Sequence, residues 1–121
     1  MPSISVFKAF RIVVRRQDLY GRAKRTIVQV TGEVDVATSA HLAAAIARAM
    51  ASTMDKEPEG KVDLVIDLSH LSFIDVSGIN VLVRAERQAR ACGGVLVLRS
   101  PNRSVRRLLD VLRLDEVLAV E

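Results

Sequence analysis

The stretch from Val62 to Ala91, VDLVIDLSHLSFIDVSGINVLVRAERQARA, constrains this chain more than any other. Val62, Leu64, Val65, Ile66 and Leu68 form an almost continuous apolar run. It is too short for a helix and too apolar for a half-exposed strand, so it predicts a central strand covered on both faces. Past a short loop, Asp75-Val76-Ser77-Gly78 marks a change of period. Ile79, Leu82, Val83 and Ala89 then recur at helical spacing, with Asn80, Arg84 and Arg87 falling between them.

Ser77 stands where that helix opens, the position expected of an N-cap whose hydroxyl accepts a first-turn N–H. Counting on from it by three and four reaches Asn80, Arg84 and Arg87, a polar stripe turned away from Leu82 and Val83. Ser77 therefore has two readings. It is a helix cap, or it is an exposed hydroxyl at a positive helix end, where an added phosphate is tolerated by the fold and alters whatever docks there. Asp75 begins the turn and adds negative charge beside that hydroxyl. Asp67 and Asp75 do not read as a carboxylate pair for acid–base or magnesium chemistry, because the first ends a strand and the second starts a turn.

The flanking sequence supplies the rest of a layered domain. Residues 1–10, with Ile4, Val6 and Phe10 alternating, predict an edge strand or a loose arm, and the domain proper spans 11–121. Arg11 to Arg16 and Thr26 to Thr31 read as a hairpin whose longer loop includes Gln17, Asp18 and Gly21. Gly32 to Asp35 closes the second strand, and from Thr38 an alanine-rich helix carries Leu42, Ile46, Ala49 and Met50 on one stripe. Asp35 or Thr38 caps it, with a partner contact as the other reading of Asp35. The polar DKEPEGK at 55–61 leads back into the central strand, while Leu71, Phe73 and Ile74 are expected to anchor the loop after it. Gly93-Gly94 stops the Ser77 helix, Val95 to Leu98 is a further apolar strand, and the strand–helix–strand order implies a parallel pair. A last helix opens at Ser100-Pro101 or Asn102, with Val105, Leu108, Leu109 and Leu112 as its apolar stripe. Val117, Leu118 and Val120 pair briefly with the sheet or pack on it. The fold class is α/β: a mixed sheet of about four strands partly covered by three to four helices.

Composition narrows the function. The 121 residues make one domain with a real core, and an aromatic content of 3% leaves that core to aliphatic side chains and offers little for stacking on bases. The net charge of +4 comes from the N-terminal arginines and lysines. Solvated arginine on strands accounts for it more simply than nucleic acid does. One cysteine, Cys92, rules out an internal disulfide and a multi-cysteine metal site and fits a reducing, cytoplasmic setting. No apolar run approaches the roughly 20 residues of a membrane span, and the N-terminus lacks signal-peptide order, so a soluble, unprocessed chain is expected. There is no P-loop, GxGxxG, GxSxG elbow or cluster of metal ligands; His41 and His70 are isolated, and Ser77 has no activating triad. The chain reads as a binding switch and not as an enzyme, with no cofactor of its own.

Three segments, TGEVDVAT (Thr31 to Thr38), VIDLSHLSFIDVSGINVL (Val65 to Leu82) and SVRRLLDVLRL (Ser104 to Leu114), resemble in order and spacing the STAS domain of bacterial anti-sigma factor antagonists. The resemblance covers nearly the whole chain from Arg11 onward, and its D-x-S-G turn matches the family's phosphorylated serine to Ser77. Where the family often has a second serine, this chain has Val76. The resemblance implies a partner-switching cycle in transcription regulation. The unphosphorylated domain binds an anti-sigma factor that is also a GHKL-type serine kinase, which frees a sigma factor. The kinase, with its own Mg-ATP, phosphorylates Ser77, and a serine phosphatase resets the cycle. Asp75, Val76, Gly78 and Asn80 carry over as the surroundings of Ser77, and Asp35 and Thr38 as neighbours from the adjacent loop. Val81 and Arg84 join them by helical spacing. The rival readings are an accessory STAS module of a transport or other signalling complex, not switched by phosphorylation, and a basic nucleic-acid-binding domain.

Overall fold

Residues 9–19, 23–56 and 62–121 are described by the computed structural model, and they form eight elements. In chain order these are β1 (Arg11–Leu19), β2 (Ala23–Val34), α1 (Ser39–Lys56), β3 (Asp63–Ile74), α2 (Val76–Ala91), β4 (Val95–Arg99), α3 (Arg103–Val111) and β5 (Ala119–Val120). The five strands lie in one mixed sheet in their sequence order. The hairpin pair β1 and β2 is antiparallel, and every later pair is parallel with a helix in its crossover. The expected arm or edge strand falls largely on residues 1–8, outside the described residues, as do Gly21 and the Pro58-Gly60 part of the loop before β3.

The β2–β3–β4 centre owes its position to composition. Leu64, Val65, Ile66 and Leu68 of β3 are buried, as are Ile27, Val28 and Val30 of β2 and Leu96 and Leu98 of β4. Leu42, Ile46, Ala49 and Met50 of α1 and Ile79, Leu82, Ala85 and Ala89 of α2 pack on this sheet, joined by Val105 and Leu109 of α3 and by Leu118. The core is thus aliphatic, and each fully buried Leu or Ile contributes on the order of 1.5–3 kcal/mol. Leu118 anchors the C-terminal run, so that Ala119 and Val120 form a fifth, two-residue strand beside Val97 and Leu98.

One strand boundary differs from the expectation. β3 does not stop near Leu68 but continues to Ile74, because β2 is long enough to pair with it as far as Val34. That extension is irregular. The register slips between Gln29 and Thr31 and again between Gly32 and Glu33, each time with an extra residue on β3. These are β-bulges, which re-aim the following side chains. Leu71 and Ile74 point inward as anchors, whereas Phe73 is turned out and is 49% exposed. Asp67 is therefore mid-strand and not at a strand end, and its Oδ1 accepts from Ser69 N at the first bulge (3.0 Å). Asn102 Nδ2 donates to the Leu71 carbonyl (3.0 Å), tying the start of α3 to the second irregularity.

The helix ends follow local chemistry. Asn102 caps α3, its side chain accepting from Val105 N at 2.9 Å. At the end of α2, Gly93 adopts φ +73°, Gly93 N donates to Arg90 O (2.9 Å) and Gly94 N to Ala89 O (2.8 Å). This pair of bonds is the Schellman arrangement that the Gly-Gly stop predicts.

Candidate functional site

The bulged end of β3 delivers the chain directly into α2. Asp75 is extended (φ −101°, ψ −174°), and its N–H donates to the Val34 carbonyl of β2 at 3.0 Å. Its Oδ1 accepts hydrogen bonds from Ser77 N (2.9 Å), from Gly78 N (3.3 Å) and from the Ser77 hydroxyl. Asp75, not Ser77, is therefore the N-cap. Ser77 is the second helical residue, half-buried, with its hydroxyl free of capping duty. The reason is the bond to Val34: it holds Asp75 in the β region that a cap requires, and the helix begins one residue later.

This arrangement sets the electrostatics. The Ser77 hydroxyl bond, aided by the backbone N–H groups of Gly78 and Ser77, holds the Asp75 carboxyl below its ordinary value, against a smaller opposing effect of burial. The carboxylate is ionised at neutral pH. A hydroxyl has one proton and two lone pairs. With the proton directed to Asp75, the Ser77 Oγ keeps its lone pairs for an incoming electrophile. No histidine activates it: His70 is exposed, with Nδ1 3.1 Å from Ser69 Oγ.

Gly78 is buried and works from beneath the surface. A Cβ there would lie 2.5 Å from Ile74 Cγ1 and 2.6 Å from Val34 Cγ1, so glycine lets the first turn of α2 rest on β2 and β3. Asn80 and Arg84 are exposed along α2, with Val81 half-buried, in keeping with the polar stripe. Ser77, Asn80, Val81 and Arg84 line one wall of a groove of about 320 Å³ whose other wall is Ser39, Ala40 and Ala43 of α1. Asp35 and Thr38 shape the neighbouring β2–α1 loop by a reciprocal cap. Asp35 N donates to Thr38 Oγ1 (3.0 Å) while Asp35 Oδ1 accepts from Thr38 N (3.1 Å) and Ala37 N (2.9 Å). Asp35 thus caps the turn that leads into α1, its carbonyl accepting from Ser39 N (2.8 Å), and the two loops are joined by the Asp75–Val34 bond.

Those loops expose apolar side chains, of which the sequence singled out only Val76 for the surroundings of Ser77. Val36 (78% exposed) stands on the β2–α1 loop, and Phe73 and Val76 (56%) flank Asp75. Exposed apolar residues rimmed by polar ones mark interaction surfaces. Phe73 had one signal in the sequence: the three-residue step from Leu71 to Ile74 breaks strand alternation. The α1 wall had none, since its proximity to Ser77 is tertiary. Among the described residues no three His, Cys, Asp or Glu side chains are grouped to hold a metal ion, and no helix is long and apolar enough to cross a membrane.

Comparison with known proteins places this geometry. The chain is similar to the crystal structure of an anti-sigma factor antagonist from Mycobacterium paratuberculosis, with 25% identity over 91% of this chain and 85% of that one and a TM-score of 0.69. It shares its fold with the Bacillus cell fate determinant SpoIIAA in its phosphorylated form, at 21% identity over 93% of this chain and 91% of that one, TM-score 0.60. It shares its fold also with part of the murine anion transporter Slc26a9, at 16% identity over 91% of this chain and 19% of the transporter, TM-score 0.65. A model of the STAS domain family matches residues 12–121, from the first strand through the D-x-S-G turn to the C-terminal residue, and the chain belongs to that family.

Proposed function

We propose that this protein is an anti-sigma factor antagonist whose binding is switched off by phosphorylation of Ser77. One observation carries the reading: a serine hydroxyl, held by an ionised carboxylate, lines a groove between α1 and α2, on a turn that exposes Phe73 and Val76 and is bonded to the strand end before exposed Val36. The unphosphorylated face docks on an anti-sigma factor with a GHKL-type serine kinase fold and displaces the sigma factor it holds. The kinase then transfers the terminal phosphoryl group of its Mg-ATP. A bond forms between Ser77 Oγ and phosphorus, the bond from phosphorus to the ADP oxygen breaks, and the hydroxyl proton passes through Asp75 or a base on the kinase to solvent. Phosphoserine places a charge of about −1.5 to −2 beside Asp75 in the docking face, where the partner must desolvate it. The complex weakens without refolding, and a serine phosphatase restores the docking form. The chain acts in the cytoplasm as a binding protein, and the catalysis belongs to its partners.

Support comes from the relative that resembles this chain at 25% identity and is an anti-sigma factor antagonist, and from a fold relative solved in a phosphorylated form. The test is a capture experiment with wild-type, Ser77→Ala and Ser77→Asp baits, with mass spectrometry of partners and of the bait. A serine kinase retained by the first two and lost by the third, with phosphate on Ser77 of the wild type, is the expected outcome. Retention of one membrane transporter by all three baits would assign the chain instead to the docking modules represented by the transporter relative.

A further inference from the structure

We propose that a second groove, between β1 and α1, binds an aliphatic chain ending in a carboxylate, a ligand of the fatty-acid class. The groove has a volume of about 550 Å³, inside the range of about 300–1,000 Å³ typical of small-molecule sites. Its existence follows from the sheet. Ile12 and Val14 pair across the antiparallel ladder with Val30 and Val28, both fully buried, so the two β1 side chains lie on the core side of the sheet. Yet Val14 is 48% exposed. The helix flank that faces it contributes Ala44, Ala45 and Ala49 as its apolar side chains, too small to fill the space above β1, with His41, Arg48 and Ser52 between them. An apolar strip meant for a core is thereby left open to solvent.

The rim states what the strip accepts. Arg11 and Arg48, both exposed, line the groove with His41, and no acidic residue does. Neither arginine enters an ion pair among the described residues. The fork of an arginine matches a carboxylate with two parallel hydrogen bonds. Phe10 closes one end, its ring 6.4 Å from that of His41 and tilted by 48°. An aliphatic tail laid over Ile12, Val14 and Ala49, with its anionic head between Arg11 and Arg48, satisfies both the apolar floor and the uncompensated charge. The site is separate from the Ser77 groove, which uses the other flank of α1 through Ser39, Ala40 and Ala43, and it does not depend on the switch reading.

The full chain titrated with dodecanoate below its micelle concentration, by calorimetry and by amide NMR shifts, tests this. Saturable one-to-one binding with shifts at Val14, Ala44 and Arg48 is expected. Dodecanol and dodecyltrimethylammonium should bind at least about tenfold more weakly, and Arg48→Gln and Arg11→Gln should each lose about tenfold, the size of one charge-assisted hydrogen bond. Ala44→Trp, at an exposed helical position in the groove, should abolish binding while leaving the melting temperature and circular dichroism unchanged. No saturable binding, equal affinity for dodecanol, or full affinity in Ala44→Trp overturns the proposal. Dodecyl phosphate binding more tightly than dodecanoate overturns the choice of carboxylate.

Discussion

The packing of α2 against the sheet can be tested at Gly78, where two opposing effects of known size meet. Replacing Gly by Ala within a helix favours the helix by about 0.8–1 kcal/mol, other things equal. Here the added methyl would lie 2.5 Å from Ile74 Cγ1, 2.6 Å from Val34 Cγ1 and 2.9 Å from Ile74 Cδ1. The two nearest atoms are Cγ1 atoms of buried β-branched residues, whose χ1 angles are stiff, so neither side chain can swing aside cheaply. Overpacking of this kind costs about 1–3 kcal/mol, and at the short end of these distances the upper half of that range applies. The net expectation for Gly78→Ala is a loss of about 1–2 kcal/mol, or roughly 3–8 °C in melting temperature for a domain of this size. Urea unfolding followed by circular dichroism measures it, with Asn80→Ala, on the exposed face of the same helix, as a control expected within about 0.5 kcal/mol of wild type. If Gly78→Ala proves as stable as wild type, helix propensity outweighs the contact and the close approach is not what requires glycine. Because the same turn carries Asp75 and Ser77, the variant should also weaken partner capture.

Three further outcomes follow from other contacts. The depressed Asp75 carboxyl contributes stability that is complete above its unfolded value of 3.8 and is lost as pH falls through the lower folded value, so the urea midpoints of wild type and Asp75→Ala should converge in acid; a gap that does not change with pH refutes the charge-assisted cap. Thr26 and Thr53 share a buried hydroxyl contact of 2.7 Å, and Thr53 also donates to Ala49 O, which makes Thr26 the donor of the pair. Thr53→Val should cost about 1–3 kcal/mol by stranding that donor, and adding Thr26→Val should recover most of it, as a double-mutant unfolding cycle would register. Arg113, one residue past the Leu112 C-cap of α3, stands at φ +56°, with Leu114 N bonded to Leu109 O at 2.8 Å, so Arg113→Gly should raise stability by about 0.5–1 kcal/mol in thermal unfolding, and a drop would show that the arginine side chain matters more than its backbone strain.

The strand-to-helix junction, the alanine-rich α1 and the Gly-Gly stop were legible in the sequence because each rests on a local signal: apolar periodicity, or a residue type that alone suits a given backbone conformation. So was the exposed stripe of Asn80, Arg84 and Arg87. The capping residue was not. Asp75 and Ser77 both have cap chemistry and stand two residues apart, and the choice between them was made by a hydrogen bond to Val34, forty-one positions earlier. Phe73 was misplaced for a related reason. Strand alternation predicts which way a side chain faces only while the register is regular, and the extra residues on β3 are visible only against β2.

By itself, then, the sequence determined the α/β layering, the aliphatic core and the position of Ser77 at a helix start, since these depend on spacing along one chain. Tertiary structure alone decided what surrounds that serine: the β2 end bonded to its turn through Val34, one wall of its groove from α1, and glycine beneath it as the residue that permits the approach. It also decided that the apolar strip of β1 stays half uncovered, because the helix flank opposite carries alanines. Periodicity tells which side of an element is apolar. What that side meets is set by the sheet's pairing and by how far each helix reaches across it.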